Sequence, residues 1–223
     1  VNTVKNAREI GFDNISLDLM IALPDSDINT LKQDIDFILA LKPEHISAYI
    51  LKIEQKTVFS KIQDTLNLPD DDVAAEQYLY MCKALEKSGY NHYEISNFAA
   101  CDNFSRHNMK YWIGEDYLGI GPAAHTCLDG KRFYYLCDLQ GFIKNPLTIS
   151  DGDAGSKEEK LMLGLRLSKG VDLSRIYGEI PKDIKEKIHL LEKSGYIKAN
   201  LPHISLTDSG MLISNSIISE LLW

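Results

Sequence analysis

The chain has 223 residues, with 24 Lys and Arg against 32 Asp and Glu for a net charge of -8, and it is 44% hydrophobic and 25% charged. That length suits one large domain or one domain with a small appendage, and the ordinary composition excludes disorder, collagen-like fibre and coiled coil as whole-chain descriptions. The acidic balance disfavours nucleic acid and anionic lipid as non-specific partners, and no apolar run approaches the roughly 18 residues of a membrane span, which leaves only peripheral membrane contact open.

The chain opens on Val1 rather than Met, and Asn2 to Ile10 reads as the last turns of an amphipathic helix closed by Gly11. The expectation is the C-terminal part of a longer protein. Ile15, Leu17, Leu19, Ile21 and Leu23 then alternate with smaller or polar residues, the period-two pattern of a strand. Pro24 to Asp27 breaks it, and Asp27 or Asn29 can cap a helix carrying Leu31, Ile35 and Ile38, which Pro43 stops. His45 to Ile53 predicts a second strand. A helix with Ala74, Tyr78, Met81 and Leu85 on one stripe follows, preceded by acidic Asp70 to Asp72 and ended by Gly89. Tyr93 to Phe98 predicts a third strand. This alternation over residues 1–98 points to parallel βα units, as in an α/β barrel or a doubly wound sheet, and three strands leave a barrel incomplete.

Residues 99–150 are rich in aromatics and glycine and predict irregular structure with short elements. Ser150 to Gly155 reads as a linker, dividing a first domain (1–150) from a second (151–223). Ser156 and Glu159 form a capping box for a helix to Ser168. Helical stretches near 172–178 and 182–194, a small β pair (196–199 and 203–206) and a closing helix from Thr207 complete a winged-helix-like α+β domain. Its 10 Lys and Arg against 11 Asp and Glu lack the basic footprint of a nucleic-acid reader.

Asp18 is a carboxylate within an aliphatic strand, on the face opposite Leu17 and Leu19. Such a group needs a partner: a salt bridge to a neighbouring strand, or a ligand hydroxyl or amine. The stretch from His92 to Trp112 holds the densest chemistry. In a helix over 105–112, His107 and Tyr111 share a face at i, i+4. Imidazole is a common haem-iron ligand, aromatics would cover a flat macrocycle, and Arg106 could meet a propionate. Zinc on Cys101, His107, His125 and Cys127 is the rival, at spacings that match no common finger or ribbon. Gly119 and Gly121 read as a tight turn rather than a dinucleotide fingerprint. The four cysteines, Cys82, Cys101, Cys127 and Cys137, form no CxxC pair. With no export leader in view, free thiols in a cytoplasmic protein are expected.

Asn14-Ile-Ser-Leu-Asp-Leu, Ala22-Leu-Pro, His45-Ile-Ser-Ala-Tyr, Tyr93-Glu-Ile-Ser-Asn-Phe-Ala99, Arg106-His-Asn-Met-Lys-Tyr-Trp112, Tyr117-Leu-Gly-Ile-Gly and Leu163-Gly-Leu-Arg-Leu occur in that order. The series resembles the radical S-adenosylmethionine proteins of the oxygen-independent coproporphyrinogen III oxidase-like family, and within them the haem-chaperone (HemW) branch, over nearly the whole chain. The resemblance implies the C-terminal portion of a partial parallel (β/α) barrel followed by a small C-terminal domain. It implies that Asp18 contacts S-adenosylmethionine, and that the His-Asn-x-x-Tyr-Trp motif of His107, Asn108, Tyr111 and Trp112 binds haem, with His107 on the iron and Arg106 alongside. It implies a chaperone that delivers haem to a recipient haem protein. The alternatives are a coproporphyrinogen III oxidase of porphyrin biosynthesis and a non-catalytic protein-interaction module. The family's Cys-x3-Cys-x-x-Cys motif for a [4Fe-4S] cluster does not occur in this sequence, so the cluster and S-adenosylmethionine chemistry belong to a full-length parent, and the chain alone is expected to form no 5′-deoxyadenosine. Two further motifs depart. Tyr-Gly-Leu-Pro-Gly-Gln reads Ile21-Ala-Leu-Pro-Asp-Ser, and Gly-Ala-His-Ser reads Ala123-Ala-His-Thr.

Overall fold

A computed structural model describes residues 1–222 and resolves two compact units, the first ending at Phe104 and the second beginning at Ser105. The first unit runs α1 (Asn2–Glu9), β1 (Ser16–Ile21), α2 (Ile28–Ala40), β2 (His45–Ile50), α3 (Val58–Ile62), α4 (Asp71–Lys87), β3 (Tyr90–Glu94) and β4 (Asn97–Ala100). Gly11, at φ +99°, ends α1 in a Schellman arrangement: Phe12 N donates to Ala7 O and Gly11 N to Arg8 O. Asp27 opens α2 as expected, accepting from Asn29 N and Thr30 N at 2.9 and 2.8 Å. Arg8 pairs with Glu44 at 2.7 Å, and the same carboxylate accepts from Ile15 N, which ties α1 to the start of the sheet.

The strands form one sheet in the order β1-β2-β4-β3. β1 and β2 are parallel, in register from Ser16 opposite His45 to Ile21 opposite Ile50, with α2 as the crossover. The single third strand expected at Tyr93–Phe98 is a hairpin instead. Ile95 and Ser96 turn the chain, and β4 runs antiparallel to both β2 and β3. Ser96 makes that turn possible: its carbonyl accepts from Ala48 N at 2.7 Å and its N–H donates to Glu94 Oε1 at 3.1 Å. One sheet face, with Leu19, Ile21, Ile46, Ala48 and Phe98 buried, packs with the stripes Leu31, Ile35 and Ile38 of α2 and Tyr78, Met81 and Leu85 of α4.

The second unit runs α5 (Arg106–Trp112), β5 (His125–Leu128), β6 (Lys131–Tyr135), α6 (Leu139–Lys144), β7 (Thr148–Asp153), α7 (Lys157–Arg166), β8 (Val171–Asp172), α8 (Ser174–Tyr177), α9 (Lys182–Lys193), β9 (Ile197–Asn200), β10 (His203–Leu206), α10 (Asp208–Leu212) and α11 (Ser214–Leu222). β5, β6 and β7 form an antiparallel sheet where irregular structure was expected. The division expected at residue 150 falls inside β7, whose pairing with β6 and whose link to α7 hold residues 105–150 to the C-terminal elements. Arg132 on β6 pairs with Glu159 on α7, and the Arg166 guanidinium of α7 lies 4.1 Å from the Trp112 ring of α5.

From α7 onward the order helix, strand, two helices and hairpin matches the winged-helix-like expectation. The addition is β8, which pairs with β10 to make a three-stranded sheet. Ser156 caps α7 through Glu159 N at 3.1 Å, while the Glu159 carboxylate takes Gly155 N rather than closing the box on Ser156. Leu161, Leu165, Leu173, Ile188, Ile204, Ile217 and Leu221 form the core. The closing helix is two, α10 and α11, meeting at Ile213. Among the described residues no helix is long and apolar enough to cross a membrane.

Candidate functional site

Ser105 starts α5, its hydroxyl accepting from Asn108 N, and Gly114 at φ +70° follows its end. Over two turns the helix places His107 and Tyr111 as neighbours, as the spacing predicts. His107 Nε2 lies 2.7 Å from Tyr111 Oη with the rings edge to face at 5.0 Å. Tyr111 also meets Tyr117 edge to face at 4.5 Å. Trp112 stacks with Arg166, and its indole Nε1 is buried without a hydrogen-bond partner among the described residues. Arg106 and His107 are exposed.

Beside α5 lies a cleft of about 460 Å³, bounded by the loop after α5, by β5, β6 and β7, and by α7. That volume is in the range of small-molecule sites. Tyr111, Trp112, Tyr117, Met162 and Leu163 give it apolar wall, and Arg132, Glu159, Lys160, Asp151 and His125 give it polar groups. His107 lies outside the lining. Burial pushes the Tyr117 hydroxyl above the usual tyrosine range, which keeps it neutral. Arg132 is held by Glu159. The His125 ring lies flat on Tyr134, with centroids 5.1 Å apart and planes at 22°, and its Nδ1 is 3.9 Å from Asp151 Oδ2, longer than a hydrogen bond.

Of the expected haem residues, Tyr111 and Trp112 line this cleft and His107 touches it only through Tyr111. The cleft itself was not foreseen, because its walls come from residues spread between 111 and 163. One signal was available. Asp129-Gly130 between two β-prone runs is the strongest short hairpin cue, and both residues take positive φ, +50° and +72°. Reading it would have placed His125 and Arg132 on paired strands. Gly119 serves the strand rather than a ligand: a Cβ there would overlap the His125 carbonyl, and its N–H donates to the buried Thr126 hydroxyl at 3.0 Å.

In the first unit, Asp18 is exposed on the sheet face opposite the core, in register with Ser47. On the same face Ser16 Oγ lies 2.8 Å from His45 Nδ1, and His45 Nε2 lies 2.8 Å from Tyr93 Oη. Burial holds His45 below the usual histidine range, with the Asp18 charge opposing it. This polar face gives Asp18 the surroundings to accept from a ligand hydroxyl or amine. The four cysteines do not fit an iron–sulfur cluster: Cys82 on α4 and Cys127 on β5 are buried, Cys101 and Cys137 are exposed, and no three share the required spacing.

Where the two glycine motifs depart, the backbone takes a shape that suits glycine. Ala22 at φ +55°, Asp25 at +60° and Ala123 at +62° all adopt the left-handed conformation that glycine takes without strain. The first loop is held by Gln77, 1% exposed, whose Oε1 accepts from Ala22 N at 2.9 Å, and by Asn67, which donates to the Asp25 carboxylate at 3.0 Å.

Comparison with known proteins adds three findings. The HemN C-terminal domain model matches residues 157–213. The heme chaperone HemW of Lactococcus lactis subsp. lactis is 33% identical over 99% of this chain and 62% of its own length, and that of Bacillus subtilis is 34% identical over 98% and 61%. The chain thus spans about three-fifths of these relatives. Among solved structures, the coproporphyrinogen III oxidase HemN of Escherichia coli, described as a radical SAM enzyme, superposes with a TM-score of 0.72 at 19% identity. That match covers 99% of this chain and 57% of HemN, a likeness of fold.

Proposed function

The chain belongs to the radical S-adenosylmethionine HemN/HemW-like family, and from that premise we propose that it is the haem-holding part of a haem chaperone. The observation that carries this is the cleft beside α5: an aromatic wall, an imidazole and cations within about 460 Å³. Haem is the cargo. Its macrocycle would lie in the cleft against Tyr111 and Trp112, and the exposed Lys160 of the lining and Arg106 of α5 are the cations available to its propionates. An imidazole would meet the iron: His107 is the histidine of the His-Asn-x-x-Tyr-Trp motif, and His125 is the histidine in the cleft lining. Delivery to a recipient haem protein follows from the same reading.

The relatives at 33% and 34% identity are haem chaperones, whereas the oxidase, at 19%, shares the fold. That difference supports cargo holding over porphyrinogen oxidation. On the other unit, Asp18 would receive the amine or ribose of S-adenosylmethionine, the cofactor that supplies radical chemistry in a protein carrying the cluster. Asp18 is exposed on a polar sheet face, and the cluster cysteines are not in this sequence.

The test is cargo transfer. The chain is loaded with ferric haem, freed of excess, and mixed with apomyoglobin. Appearance of the reconstituted globin spectrum, together with loss of the chain's own haem band, is expected. A chain that retains no haem after gel filtration would refute the proposal.

A further inference from the structure

The cleft contains an imidazole, His125, that lies outside the His-Asn-x-x-Tyr-Trp motif. We propose that His125, not His107, is the side chain that meets the haem iron, with Asp151 as its positioning residue; this rests on the haem reading above.

Four observations lead there. His125 lines the cleft and His107 does not. His107 already has a partner, Tyr111 Oη at 2.7 Å, and that contact holds Tyr111 in the cleft wall against Tyr117. His125 is braced on one face by Tyr134 and faces Asp151 through Nδ1, while among the described residues no hydrogen bond engages its Nε2. At 3.9 Å the Asp151 carboxylate is a short rotation from accepting Nδ1–H. A carboxylate that accepts from one ring nitrogen orients a metal-binding histidine and leaves its second nitrogen facing the ligand. The β5–β6 hairpin and β7 supply all three residues, so ligand and support sit on paired strands.

The geometry divides the labour. His125 Nε2 would donate its lone pair to the iron, Tyr111, Trp112 and Leu163 would cover the macrocycle, and His107 would steady the wall.

The experiment titrates ferric haem into this chain and its variants, reading the Soret band and checking each fold by circular dichroism. His125→Ala should lose the saturable band, and added imidazole should restore it, a rescue that a purely structural histidine would not give. His107→Ala should keep the wild-type band position, with affinity lowered less than tenfold. Asp151→Asn should keep the band with affinity roughly 10–100-fold weaker. His125→Gln serves if the alanine variant misfolds, with the same loss expected. A wild-type band in His125→Ala, or its loss in His107→Ala with recovery by imidazole, would overturn the assignment while leaving haem binding intact. No saturable band in the wild-type chain would defeat the haem reading itself, and this inference with it.

Discussion

Substituting the alanine that stands left-handed on the surface with glycine should stabilise the second unit. Ala123 is exposed and sits at φ +62°. A left-handed L-residue costs about 1–2 kcal/mol, and glycine at the same place gives back about 0.5–1 kcal/mol through its freer unfolded state. Ala123→Gly should therefore gain about 0.5–1 kcal/mol. With an m-value of about 2 kcal/mol/M, the urea midpoint rises by about 0.3–0.5 M. Ala22, at φ +55°, offers the internal control because it is only 6% exposed. Its methyl contributes about 0.8 kcal/mol of burial, which cancels the gain and leaves Ala22→Gly near zero. Ala48→Gly, in a regular strand and 3% exposed, should lose about 1–2 kcal/mol. Equilibrium urea unfolding, followed by circular dichroism and tryptophan fluorescence, gives all three. An unchanged or lowered midpoint for Ala123→Gly, or an equal gain for Ala22→Gly, would refute the reasoning.

Two further outcomes follow from the same structure. Burial holds His45 below its unfolded value, so its contribution to stability is present above the unfolded pKa of about 6.5 and is lost as the pH falls toward the folded value. Urea midpoints at pH 8, 6 and 5 should drop for the wild type and drop less for His45→Gln. Gly170 takes φ +71° and a Cβ there would overlap the Ile204 carbonyl, whereas Gly195, which closes α9, takes φ +79° over open space. Gly170→Ala should cost on the order of 2–4 kcal/mol in thermal unfolding and Gly195→Ala only about 1 kcal/mol.

Where a local pattern and a buried face agree, the sequence is transparent. Leu31, Ile35 and Ile38 repeat at helical spacing because they pack on the sheet, and Asp27 caps their helix because its neighbours need an acceptor. His107 and Tyr111 meet because i and i+4 must. Other features were hidden for physical reasons. The Tyr90–Ala100 hairpin turns at Ile95-Ser96, a pair with no turn signature, and is stabilised by a carbonyl bond to Ala48, far along the chain. β7 borrows Ser150 to Asp153, whose composition is that of a linker, because β6 offers a free edge. The cleft needs residues as distant as Trp112, Arg132 and Leu163, and no periodicity reports that. The lost glycines were legible as departures, and only the backbone angles reveal that Ala22, Asp25 and Ala123 take a shape that suits glycine.

The central claim is that the cleft beside α5 holds one haem. Its most direct test is a ferric haem titration followed to stoichiometry, with the wild-type chain and Trp112→Ala in parallel. A saturable Soret band at one haem per chain is expected for the wild type, with binding weakened at least tenfold when the indole wall is removed. Unsaturable binding at several haems per chain, or a wild-type curve in Trp112→Ala, would contradict it.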